Sequence, residues 1–204
     1  MEKIPNKIIQ IFLGETDTLR EHTLFVVNKI LWQQYAEKYG FQYYFLHKDN
    51  IDEYLGDHRE FYYKLRYNWC RIDFIRYLVL NKIGGFYIDL DIAPEIDMDL
   101  FDLLGKDIIL NKWMNEKTGL NTTNNALIGC RPGQLTSLID YSISEYKKKE
   151  SMTIYKKWKV RFMMQTTGTR MFERWCKKNK YIWFIYGDMY WKDHCTATWL
   201  TKFN

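Results

Sequence analysis

The strongest constraint on the fold is the block Arg71-Ile72-Asp73-Phe74-Ile75-Arg76-Tyr77-Leu78-Val79-Leu80-Asn81-Lys82-Ile83-Gly84-Gly85-Phe86-Tyr87-Ile88-Asp89-Leu90-Asp91. Its first part reads as a helix in which Asp73 and Arg76, three apart, share one face, and Leu80 continues that face. An acid and a base on an apolar face are costly unless they meet a partner, a ligand or water. Gly84-Gly85 stops the helix, and Phe86 to Asp91 reads as a strand. Side chains alternate along a strand, so Phe86, Ile88 and Leu90 face the core while Tyr87, Asp89 and Asp91 face the other way. If the segment is extended, the Cα atoms of Asp89 and Asp91 lie roughly 6.6 Å apart. Two carboxylates that close repel unless a positive group sits between them. A hard divalent cation, Mg²⁺ or Mn²⁺, suits this pair, because it takes oxygen ligands and leaves positions for phosphate oxygens and water.

The flanking segments set the block in an α/β chain. Lys7 to Leu13 is a short apolar run closed by Gly14, the pattern of a buried parallel strand. From about His22 to Lys38, Leu24, Val27, Leu31 and Tyr35 recur at helical spacing, and Gly40 ends the helix. Gln42 to Leu46 is a second strand, which completes a strand–helix–strand unit. A largely helical stretch is expected from Phe61 to Ile83. Short strands follow at Ile108–Leu110, Ala126–Cys130 and Tyr181–Ile185. Pro132 is expected to open a helix running through Tyr146, and a last helix covers Thr169 to Lys178. Only three prolines and no Gly/Ser-rich linker interrupt the 204 residues, so residues 1–204 are expected to form one domain.

Composition narrows the function classes. Sixteen Tyr and eight Trp exceed what a core of this size readily hides, and amphipathic rings suit a ligand with apolar faces and polar rims, such as a sugar. Four widely spaced cysteines form no CxxC pair, which argues against a zinc or thiol-redox centre. The net charge of +5 comes partly from Lys147–Lys149 and from Lys156, Lys157 and Lys159. These read first as solvated faces, and secondly as a peripheral contact with an anionic membrane surface. No nucleic-acid motif accompanies them, so no nucleic acid partner is expected. The absence of a signal-like apolar segment leads to the expectation of a cytoplasmic protein, associated with the inner membrane surface if the basic patches meet lipid.

The pattern Asp73-x-x-Arg76-x-x-x-Leu80-x-x-x-Gly84-Gly85-x-Tyr87-x-Asp89-x-Asp91 resembles the signature of the DXD sugar transferases, the family of yeast-type initiating α-1,6-mannosyltransferases and bacterial capsule enzymes, related to the catalytic domains of clostridial glucosylating toxins. Ile4-Pro5-Asn6-Lys7-Ile8-Ile9-Gln10-Ile11-Phe12 is similar to that family's first strand, with Phe12 where Trp is common. Asn124-Asn125-Ala126-Leu127-Ile128-Gly129, Thr166-Thr167-Gly168 and His194-Cys195-Thr196-Ala197-Thr198-Trp199 resemble its later segments. The resemblance implies a GT-A-type α/β fold with a mixed central sheet flanked by helices. It also implies a metal-dependent, retaining transfer from a UDP- or GDP-linked sugar to the hydroxyl of a glycan, polysaccharide or glycolipid. The implied catalytic residues are Asp73, Arg76, Asp89 and Asn125. Gln10, Phe12, Asp73, Arg76, Tyr87, Asp89 and Trp199 are implied to bind the donor, and Asp89, Asp91 and His194 to hold Mn²⁺ or Mg²⁺. Asp188 to Trp199 is expected to act as a lid. Two other classes remain open: a non-catalytic saccharide- or nucleic-acid-binding protein, and a metal-dependent phosphoesterase.

Overall fold

The structure, a computed structural model, describes residues 3–14, 23–94, 100–114, 121–152, 158–179, 182–186 and 191–193. The expected opening unit is present: strand β1 (Lys7–Phe12), helix α1 (Thr23–Tyr39) and strand β2 (Gln42–His47), with β1 and β2 parallel and Ile8 opposite Tyr43. Short helices α2 (Asp52–Leu55) and α3 (Arg59–Lys64) precede the long helix α4 (Asn68–Ile83), which delivers the chain to β3 (Gly85–Ile88). The largely helical stretch expected from Phe61 to Ile83 is present, divided between two helices. Leu65 and Tyr67 adopt extended backbone between them, and the Arg66 N–H donates to the Tyr146 hydroxyl 2.9 Å away.

Strand β3 also ends earlier than the sequence suggests. Asp89, Leu90 and Asp91 form a turn closed by a hydrogen bond from the Ile92 N–H to the Asp89 carbonyl (3.1 Å), and β4 (Ile92–Pro94) then joins a separate two-stranded sheet. Beyond it lie β5 (Ile108–Met114), β6 (Asn121–Cys130), α5 (Thr136–Glu150), α6 (Lys159–Thr166), α7 (Thr169–Lys178), β7 (Ile182–Tyr186) and β8 (Trp191–Asp193), the partner of β4. Both β5 and β6 are longer than expected, and α5 begins four residues after Pro132. Gly133 takes φ +81° there, and α4 supplies the helix start: Asn81 accepts from the Leu135 N–H at 2.9 Å.

The main sheet has the order β2-β1-β3-β6-β5-β7, and β6 alone runs antiparallel to its neighbours. Helices cover both faces. One apolar cluster gathers Ile9, Ile11, Tyr87, Leu110 and Ile128 with α4, α5, α6 and α7. The other gathers Ile8, Phe86, Ile88, Ile109 and Leu127 with Trp32, Tyr35 and Ala36 of α1. The alternation of Phe86 and Ile88 against Tyr87 is thus realised as expected. From β1 the chain crosses to β2 on one side, and from β2 it returns to β3 on the other. Such a reversal opens a crevice at the carboxyl ends of β1 and β3, where α/β sheets bind ligands. Among the described residues, no helix is long and apolar enough to cross a membrane.

Candidate functional site

Asp73 and Arg76 project from α4 toward the crevice, and the helix buries both almost completely, at 6% and 4% exposure. Their Nη2–Oδ1 separation is 3.2 Å. This is no solvated i,i+3 pair. Arg76 also donates from Nη1 to the Asn125 carbonyl (2.6 Å), faces Asp89 Oδ1 at 3.4 Å and lies over the Tyr87 ring, 4.5 Å from its centroid. One guanidinium thus ties α4 to β3, to the turn beyond it and to β6.

The Asp89-Leu90-Asp91 turn is held through its backbone. The Asp89 N–H donates to the Ala126 carbonyl (2.8 Å), Asn28 Nδ2 donates to the Leu90 carbonyl (2.9 Å), and Trp32 Nε1 donates to the Ile92 carbonyl (2.8 Å). Asn28 and Trp32 are a helical turn apart on the buried face of α1, and each spends its polar group on this turn. Gln10 is fully buried as well. Its Nε2 lies 3.5 Å from the Asp89 carbonyl, and its Oε1 accepts from the Tyr43 hydroxyl at 2.7 Å. Gln10 therefore sits beneath the turn with its amide engaged, rather than presenting it to a base. Phe12 stands partly exposed at the carboxyl end of β1.

The electrostatics follow from this packing. Burial, reinforced by the charges of Asp91 and Asp73, pushes the Asp89 carboxyl up to about 7 against the opposing pull of Arg76 and the hydrogen bond from Tyr87. Asp73 is raised by burial too, with Arg76, Asn125 and Thr167 opposing. Burial also holds the Tyr87 phenol well above its ordinary range, so it remains a donor, and it donates to Asp89 Oδ1. Asp73 and Asp89 share one buried cation, Arg76, and Asp91 stands beside Asp89 on the turn. The repulsion that Asp91 and Asp73 exert on Asp89 is what a divalent cation would relieve.

The donor set fits such an ion. Among the described residues no three His, Cys, Asp or Glu side chains gather around one point, so the protein would supply few ligands. A hard cation that keeps waters and takes substrate phosphate oxygens requires no more. Of the expected ligands, Asp89 and Asp91 are together on the turn, both partly exposed. His194 lies outside the described residues, as do Trp199 and all of the expected lid except Trp191–Asp193, which form β8 against β4.

Asn125 is brought to the site by an irregularity in β6. Leu110 of β5 pairs with Ile128 and Lys112 with Thr123, so one residue of β5 faces four of β6. The displaced stretch carries Asn125 inward, where Nδ2 donates to Asp73 Oδ1 (2.8 Å) and to the Tyr77 hydroxyl (2.9 Å). The α6–α7 turn closes the other side. Thr167 Oγ1 reaches Asp73 Oδ2 at 3.3 Å, and the turn approaches so nearly that a Cβ on Gly168 would lie 3.1 Å from that oxygen. Asn28, Trp32, Tyr43 and Tyr77 escaped the sequence reading. Only Asn28 left a trace there, as a polar residue one turn before Trp32 on an apolar helix face.

Comparison with known proteins shows what the chain is similar to. Residues 22–120, which include the whole block from Arg71 to Asp91, match the family model described as "glycosyltransferase sugar-binding region containing DXD motif". The structure of the PaToxG glycosyltransferase superposes with a TM-score of 0.54 at 13% identity, over 87% of this chain and 70% of that one. A glycosyltransferase involved in glycosylation of the major capsid of PBCV-1 superposes with a TM-score of 0.52 at 7% identity, over 89% of this chain and 81% of that one. Searched by sequence, the curated proteins gave no match. The expected GT-A-type fold, a mixed sheet between helices, is thus the fold observed.

Proposed function

We propose that this chain is a metal-dependent glycosyltransferase, one catalytic domain that moves a sugar from a UDP- or GDP-linked donor to the hydroxyl of a glycan or glycolipid. One observation carries the reading: a turn bearing Asp89 and Asp91 stands at the carboxyl end of β3, at the point where the sheet reverses its order, with the buried Arg76 facing the first of the two carboxylates. The match over residues 22–120 and the shared fold support it.

Asp91 would hold Mn²⁺ or Mg²⁺, with Asp89 contributing from the other side of the turn and His194 from the later chain. When bound, the ion would supply Lewis-acid stabilisation of the charge on the departing diphosphate. Asp89 Oδ1 is already engaged by Tyr87 and Arg76, so the first carboxylate orients as well as ligates. Arg76 keeps Asp73 and Asp89 apart yet neutralised, and its fixed charge needs no reorganisation as the leaving group develops charge. Phe12, at the open end of β1, is suited to stack on the nucleoside, with Trp199 as its counterpart. Among the described residues, the carboxylates in the buried network are Asp73 and Asp89, and both are held by protein groups. Retention without a covalent intermediate is the consistent route, the acceptor entering on the face that the diphosphate leaves.

The test is a thermal-shift panel of UDP- and GDP-sugars with and without Mn²⁺, on the parent and on Asp91→Ala. Ligand that binds only the folded state raises the midpoint, by an amount reflecting about 2.7 kcal/mol at a hundred times Kd. The parent should shift with one nucleotide class in the presence of Mn²⁺ only, and Asp91→Ala should lose both that shift and turnover while staying folded. Normal turnover by Asp91→Ala would remove the assignment.

A further inference from the structure

The hydrogen-bond directions around Asn125 are fixed by their far ends. The Thr167 backbone carbonyl can only accept, so the Tyr77 hydroxyl, 2.7 Å from it, must donate its single hydrogen there. The Tyr77 oxygen is then an acceptor toward Asn125, 2.9 Å away. Asp73 Oδ1, which also faces the arginine, accepts from the same amide at 2.8 Å. Two acceptors on one side of an amide leave a single orientation: the NH₂ group turns toward Asp73 and Tyr77, and both of its hydrogens are spent. The carbonyl oxygen points the other way, where it accepts from Thr169 Oγ1 at 3.4 Å and keeps a second lone pair. Tyr77 is itself fully buried and stacked on Phe172 with 5° between the rings.

We propose that Tyr77 is a positioning residue: its hydroxyl, anchored on the Thr167 carbonyl, locks the Asn125 amide so that what remains for a ligand is the second lone pair of a carbonyl oxygen that Thr169 already engages. Resting on the glycosyltransferase reading, this means that Asn125 meets the donor sugar as an acceptor and reads a hydroxyl that gives it a hydrogen. The lock joins three elements far apart in sequence, α4, the displaced stretch of β6 and the α6–α7 turn. A shift of any one would rotate the amide.

Tyr77→Phe tests it, since the variant keeps the stacked ring and removes one oxygen. Tyr146→Phe is the matched control, a buried phenol whose hydroxyl also bonds backbone, at the Arg66 N–H, away from the site. The first readout is the ¹⁵N side-chain amide pair of Asn125, assigned by its loss in Asn125→Asp. In the parent both hydrogens should exchange slowly with solvent, and in Tyr77→Phe at least about tenfold faster. Fast exchange of both in the parent, or an unchanged rate in the variant, would overturn the lock. The second readout is nucleoside diphosphate release from UDP-glucose or GDP-mannose with Mn²⁺. A misplaced group at a reacting centre costs up to about a hundredfold, so kcat should fall about ten- to a hundredfold in Tyr77→Phe, with KM within about threefold and Tyr146→Phe unaffected. Equal losses in the two tyrosine variants would make Tyr77 merely structural. Full turnover in Asp91→Ala would instead sink the glycosyltransferase reading, and the amide exchange would then still decide the lock on its own.

Discussion

Asp89→Asn should make the metal-free protein more stable while abolishing transfer, because a carboxylate kept for an absent cation is a burden on the fold. In the folded chain the Asp89 carboxyl is pushed up to about 7 by burial and by the neighbouring charges of Asp91 and Asp73. In an unfolded chain it titrates near 3.9. A difference of about three units corresponds to a ceiling of roughly 4 kcal/mol. The side chain keeps 29% exposure, so water relaxes the cost, and about 2 kcal/mol is a fair expectation. The sign follows from the raised value. The folded state prefers the protonated acid, so the favourable contribution is complete below about pH 4, declines as pH rises toward 7 and is absent above it. Asparagine cannot ionise and escapes that decline, while its Oδ1 can still accept from Tyr87. Melting in EDTA should therefore give equal midpoints near pH 4 and a variant about 4–8 °C more stable at pH 8, at about 2–4 °C per kcal/mol for a chain of this length. Millimolar Mn²⁺ should raise the parent at pH 8 and leave the variant unchanged. A variant that melts below the parent at pH 8 without metal would refute the reasoning, since Asp89 would then be a net stabilising partner of Arg76.

Other positions give sharper structural tests. Arg76→Met leaves Asp73 and Asp89 without their shared cation and should cost roughly 3–5 kcal/mol in urea unfolding; a loss below about 1 kcal/mol would return Arg76 to the status of an ordinary helix ion pair. Gly85→Ala should cost at least about 3 kcal/mol or prevent folding, because Gly85 has φ +108° and its Cβ would lie 2.7 Å from Lys7 Cβ and from the Lys7 carbonyl oxygen across the β1–β3 pair; a melting point near the parent's would contradict that contact. Burial pushes the Cys70 thiol up to about 12 and raises Cys130 and Cys176 further. A thiol reagent at pH 8 should thus modify no more than one of the four cysteines before denaturant is added, and all four afterwards; two or more in the native protein would show that these sites open.

Where sequence and structure agree, a local signal was sufficient. The run from Lys7 and the stop at Gly40 mark a strand–helix–strand unit, although the face traced by Leu24, Val27, Leu31 and Tyr35 is not the one the helix buries: Val27 and Leu31 are exposed, and Asn28, Trp32, Tyr35 and Ala36 pack inward. Where they part, the deciding contact comes from far along the chain. No Gly or Pro marks the break before α4; Tyr146, 80 residues away, accepts from the Arg66 N–H and gives the unwound backbone a partner. Pro132 looked like a helix start, but Asn81 of α4 caps α5 further on. The turn at Asp89 is hidden for a different reason. Ile92 continues the apolar alternation of Phe86, Ile88 and Leu90, so polarity alone cannot separate one strand from two strands joined by a turn.

The same division runs through the site. Asp73, Arg76, Asp89 and Asp91 are legible because charge on an otherwise apolar segment demands a reason. Trp32 and Tyr77 are not, because each looks like a residue that fills a core and does fill it; Tyr43 packs half-buried against the core, and Asn28 is a single buried polar residue on α1. Their function lies in one polar atom apiece: Asn28, Trp32 and Tyr77 bond a main-chain carbonyl and Tyr43 the Gln10 amide, and no spacing in the sequence encodes such a partner. At Gln10, where the resemblance implied donor binding, the amide is engaged within the protein: its carbonyl oxygen takes the Tyr43 hydroxyl and its nitrogen faces the Asp89 carbonyl. Substitutions at Asp89 and Asp91, both partly exposed, should therefore remove chemistry and spare the fold, whereas those at the buried Asp73 and Arg76 should cost stability as well. Removal of a single supporting hydroxyl, as in Tyr77→Phe, should leave the charges in place and displace the groups that must meet the donor.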